Sequence, residues 1–66
     1  MILISVLNLK EEKIAKLAAR LSGCKFYKSS PNMKQFETSL SNIHTARKLA
    51  CFFRLRGYQV TCEHIN

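Results

Sequence analysis

SNIHTARKLACFFRLRGY, residues 41–58, is the stretch from which the rest of the chain is read. Ser41 is a helix-capping residue type. Ile43, Ala46, Leu49, Ala50 and Phe53 recur at helical spacing and predict a buried stripe. Arg47, Cys51 and Arg54 follow at i, i+4 and i+7 and line one flank; His44, Lys48 and Leu55 project further round, with Phe52 at the boundary. Gly57 stops the helix. Tyr58 to Ile65 then alternates, Tyr58, Val60 and Cys62 against Gln59, Thr61 and Glu63, which predicts a half-exposed strand.

The segment from Asn8 to Lys25 follows the same plan. Asn8 with Glu11 three residues on has the spacing of a capping box, and the acids of the first turn suit the helix dipole. Ile14, Leu17, Ala18 and Leu21 make the expected buried stripe, and Lys13, Lys16 and Arg20 line one flank. Gly23 is placed to end this helix as a left-handed cap. Ahead of it, Ile2 to Leu7 is apolar on both faces, the pattern of a central strand or of one whose outer face meets a partner. Cys24 to Ser29 and Met33 to Leu40 read as two strands of a hairpin joined by Ser-Pro-Asn turn chemistry. Phe36, Thr38 and Leu40 are expected on one side of the later strand.

The predicted order is strand, helix, strand, strand, helix, strand, as two copies of one unit. Lys16-Leu17-Ala18 in the first half matches Lys48-Leu49-Ala50 in the second. Right-handed crossovers then give an α+β, ferredoxin-like βαββαβ sandwich: a four-stranded antiparallel sheet with both helices on one face. The open face is expected to carry Leu3, Ser5, Lys25, Tyr27, Gln59, Thr61 and Glu63. The run from Ser41 through Arg56-Gly57-Tyr58 to Val60 resembles the helix-and-strand part of SPOR domains. That resemblance implies the same topology and, in the family, binding of septal peptidoglycan through the sheet. The element order is also similar to that of RNA-recognition domains, which stack bases on aromatics of their central strands. Here the first strand offers Leu3 and Ser5 at those positions and Phe36 is expected inward, so the stacking platform is missing.

A chain of 66 residues is one domain. At this size about 60% of the unfolded surface is buried, which leaves little structure for a preorganised, water-excluding catalytic pocket. The expectation is a non-enzymatic protein without cofactor. Eleven Lys and Arg against four acids give a formal charge of +7. Such a field favours a polyanionic partner, either nucleic acid or an acidic protein surface. The candidate anion-binding residues are Lys13, Lys16, Arg20, Lys25, Lys28, Arg47, Arg54 and Arg56, with Lys34 beside the hairpin. Phosphate binding suits such loosely specified cations, because each adds affinity by counterion release.

The first functional reading is therefore a cytoplasmic nucleic-acid-binding regulator. The alternative is a protein-interaction module, a small inhibitor or adaptor of the phage or mobile-element type, using surplus apolar surface at Leu3, Leu7, Tyr27, Phe52 and Leu55. A homodimer completing the open sheet fits the same surplus. A nuclease-like enzyme using His44 or His64 would need convergent acid and base groups that the sequence does not display. Cys24, Cys51 and Cys62 lack the paired spacing of a zinc site or a disulfide framework, so free thiols in a reducing compartment are expected. The apolar start, ILISVL, is too short for a membrane span and lacks the flanks of a secretory signal.

Overall fold

Residues 1–65 are described by a computed structural model. The elements are β1 (Ile2–Leu7), α1 (Glu12–Ser22), β2 (Lys25–Ser30), β3 (Met33–Thr38), a 3₁₀ turn (Leu40–Asn42), α2 (Ile43–Leu55) and β4 (Val60–His64). The fold is α+β. Its sheet has four strands in the order β2-β3-β1-β4, and every neighbouring pair is antiparallel. β1 lies inside the sheet, as its two apolar faces require. β2 and β4 are the edges.

The register divides the strands into two faces. Ile2, Ile4 and Val6 of β1 align with Thr38, Phe36 and Lys34 of β3 and with His64, Cys62 and Val60 of β4. Ile2, Ile4, Val6, Phe36 and Val60 pack against residues of both helices in one core. Phe36 is the hub: its ring lies 5.6 Å from that of Phe26 and 5.9 Å from that of Phe53. Tyr58 closes edge-on against Phe53 at 5.8 Å. The sheet and α2 supply the bulk of this core, and α1 supplies small side chains, Ala15, Ala18 and Ala19.

That division of volume corrects the expected stripe of α1. Leu17 and Leu21 are 52% and 78% exposed, and Ile14 is half-buried. Ala18 of that stripe is buried as expected, and with Ala15 and Ala19 it forms a strip one position round the helix, whose small side chains let α1 pack against β2 and α2. The two helices consequently superpose with a different phase from the sequence match. Ala15, Ala18 and Ala19 correspond to the buried Ala46, Leu49 and Ala50, so Leu17 falls opposite Lys48 and not Leu49.

Both predicted N-caps also shift. Asn8 adopts a left-handed conformation at φ 62°, and its N–H donates to Asn32 O at 2.7 Å, extending the β1–β3 ladder. The segment that follows buries Leu9 completely, and α1 starts after Glu11 without a side-chain cap. Ser41 lies within the 3₁₀ turn and shares a hydroxyl hydrogen bond with Ser39 at 2.9 Å; Asn42 precedes α2. Leu40 is exposed in that turn and does not continue β3. The glycine stops hold: Gly23 has φ 83° and donates its N–H to Ala19 O, and Gly57 has φ 91°. At both, a side chain would strain the backbone although space is open around it.

Candidate functional site

Four exposed large apolar residues, Leu17, Leu21, Phe52 and Leu55, lie on the helix layer, whereas Met1, Tyr27 and Leu40 are exposed elsewhere. Leu17 and Leu21 stand on the flank of α1 beside Ile14, and Phe52 stands on the corresponding flank of α2. Together with Ala18, Ser22, Lys48 and Leu49 they line a groove of about 230 Å³ between the helices. Phe52 is 39% exposed at its rim, and Leu55, one turn on, is 83% exposed. Ring contact explains how Phe52 is held: it meets Phe53 edge-on at 5.1 Å, and the Arg56 guanidinium carbon lies 4.3 Å from its ring centroid. That cation–π contact contributes about 0.5–1 kcal/mol at an exposed position.

Cations frame the groove. Lys48 belongs to its lining, and Arg56 stacks on Phe52. Lys13, Lys16 and Arg20 run along α1 at i, i+3 and i+7, further from the sheet than the alanine strip. The arrangement is an apolar floor inside a positive rim, where burial supplies affinity and charge supplies steering and choice of partner.

The remaining predicted residues lie elsewhere. Arg47 and Arg54 occupy the opposite flank of α2, towards β4, and Arg54 donates from Nη2 to Val60 O at 3.1 Å. Lys25 and Lys28 pair with Glu37 and Gln35 on the sheet face away from the helices. Tyr27 is a bulged residue between Phe26 and Lys28, exposed at the β2 edge. The eight predicted cations therefore do not share one surface.

Leu3 is a correction: it lies on the outer face as expected, but at 7% exposure it offers no contact surface. It is an interior-strand residue aligned with Glu37 and Glu63 on its two neighbours, whose longer side chains shelter it. Lys34 is corrected too. It is buried on the helix-facing side of the sheet and donates from Nζ to Ser30 O at 2.8 Å, so its charge is spent inside the hairpin. Sequence reasoning missed Leu17 and Leu21 as site residues. The available signal was the second apolar strip, one residue out of phase with the first.

Among the described residues, no group of three His, Cys, Asp or Glu side chains comes together as a possible metal site, and no helix is long and apolar enough to cross a membrane. His44 and His64 are both exposed, on α2 and β4. Cys24, Cys51 and Cys62 are free thiols. Burial pushes the Cys24 thiol above its ordinary pKa, partly offset by a hydrogen bond with Ser22. Alkylation at mildly alkaline pH is therefore expected to label the exposed Cys51 and Cys62 rapidly and Cys24 only on unfolding. Mass spectrometry of a timed iodoacetamide reaction reads this directly, and early labelling of Cys24 in the folded protein would contradict its place in the core.

Comparison of the chain with protein-family models, with curated proteins and with solved structures returns no match.

Proposed function

We propose that this chain is a small, non-enzymatic, basic interaction module that docks the groove of its helix layer onto an acidic region of a partner protein. The observation that carries the reading is the exposure of Leu17, Leu21, Phe52 and Leu55 in one helix-layer region. Isolated exposed leucines need no explanation; a contiguous apolar strip on a thin-cored domain does. The +7 charge and the lysine and arginine rim favour an acidic partner over a second copy, whose rim would repel this one. The element order, with sheet order β2-β3-β1-β4, supports a ferredoxin-like description of the scaffold. The free thiols support a reducing compartment such as the cytoplasm.

A second reading, a nucleic-acid-binding regulator, is favoured by one observation: the cationic strip Lys13, Lys16 and Arg20, extended across the layer by Lys48. The two readings separate in one capture experiment. Tagged protein in lysate of its native host is expected to retain one stoichiometric protein that survives nuclease treatment and is lost with Leu21→Glu. Nuclease-sensitive capture, with gel-shift binding that falls steeply with salt and fails on charge reversal at Lys16, Arg20, Arg47 and Arg54, would replace this proposal with the second.

A further inference from the structure

We infer a second docking site, separate from the helix-layer groove: the free edge of β4, beneath the arginine flank of α2, takes an extended acidic segment of a partner protein as an added strand. The backbone sets it up. Leu7 N–H donates to Gln59 O at 2.9 Å, and Met1 and Ile65 exchange two hydrogen bonds, at 2.8 and 3.0 Å. In an antiparallel ladder bonded and non-bonded pairs alternate, so the residues between these, Val60, Cys62 and His64, turn N–H and C=O away from β1. β4 is an edge strand, so those groups point outward. The Arg54 bond to Val60 O reaches the strand from that outer side.

The two edges of the sheet differ in protection. β2 has the register break at Tyr27 and carries Lys25 and Lys28, devices that deter strand pairing. β4 has no Lys, Arg or Pro, and its pairing with β1 runs without a shift. Among the described residues its guards are Arg54, on a single carbonyl, and Glu63, which shares the face of Leu3 away from the helices and so does not oppose side chains on the arginine side.

Charge then selects the occupant. Cys62 and His64 share the strand face of the buried Val60, yet both are exposed, so α2 leaves this part of the sheet uncovered. An added strand would lie beside this shelf with alternate side chains directed towards Arg47 and Arg54. These arginines are two turns apart on α2, about 10 Å. Same-face residues of a strand repeat at about 7 Å, so two or three successive acidic positions span the pair. A second copy pairing along this edge would bring its own arginines towards these, which favours an acidic segment over it as the occupant.

The test uses the ¹⁵N-labelled full chain and two synthetic nine-residue peptides, alternating Val with Glu or Val with Lys. The Val–Glu peptide is expected to shift the Cys62 and His64 amides saturably and slow their hydrogen exchange, with affinity about tenfold or more above that of the Val–Lys peptide. Arg47→Glu with Arg54→Glu should reverse the preference, and Cys62→Pro, which removes an outward N–H from no ladder bond, should abolish binding. Equal response to both peptides, no response at millimolar peptide, or binding retained by a folded Cys62→Pro variant would overturn the inference. Changes confined to Leu17, Leu21 and Phe52 would overturn it while leaving the groove proposal standing; edge binding by a variant with Leu21→Glu would hold whether or not that proposal fails.

Discussion

Phe53→Ala is expected to remove about 3–5 kcal/mol of folding stability, the range for deleting a buried phenyl ring. Marginal stability of about 0.05–0.15 kcal/mol per residue makes this from about a third to all of what a chain of 66 residues possesses. Phe53 is fully buried and joins three parts of the fold: the sheet through Phe36, its own helix through Phe52, and the link to β4 through Tyr58. Its loss leaves a cavity that Ala46 and Ala50 are too small to fill. The neighbouring Phe52→Ala is the control, because its ring already meets solvent; its cost should be about 1 kcal/mol, mainly the stacking with Phe53 and Arg56. Urea unfolding followed by circular dichroism measures both. Two variants of similar stability would mean that the core is not centred on Phe53.

The sequence revealed the order of the elements because the punctuation is local. Gly23 and Gly57 take positive φ where they were expected to end helices, and the Ser-Pro-Asn turn joins β2 to β3. The stripe of α2 was legible because its buried residues include Leu49 and Phe53, which outweigh their neighbours in any hydrophobicity count. The stripe of α1 was not. There the larger residues, Leu17 and Leu21, lie outside and three alanines lie inside. Periodicity ranks strips by hydrophobicity, whereas small side chains are what let α1 pack against β2 and α2. Lys34 illustrates the same limit, since its long stem fills an interior position while its ammonium reaches Ser30 O, a pairing visible only once the hairpin closes. Asn8 shows why the cap failed: a left-handed residue that bonds across to Asn32 cannot also start a helix. The misphased leucines are what the proposed function rests on, because a helix whose largest apolar residues face outward offers a second surface.

Placing a charge at Leu21 or Leu55 is expected to abolish partner binding, and truncating Phe52 to weaken it strongly, while the fold stays intact. Leu21 and Leu55 are the most exposed large apolar side chains, so Leu21→Glu or Leu55→Glu should change stability by no more than about 0.5 kcal/mol. In a complex the same substitution would bury an unpaired carboxylate within a positive rim where an acidic partner must sit, adding repulsion to lost contact. Phe52→Ala removes the one aromatic side chain lining the groove, and loss of an aromatic anchor costs about 2 kcal/mol, roughly thirtyfold in affinity. Lys48→Glu should act differently, slowing association and flattening its salt dependence while dissociation changes less, because a rim charge steers more than it holds. Surface-plasmon-resonance kinetics on the captured partner, alongside unfolding curves of each variant, separate the two effects. Unchanged affinity for folded Leu21→Glu and Phe52→Ala would show that the partner does not use the groove. Loss of affinity in proportion to lost stability would assign the leucines to the fold alone.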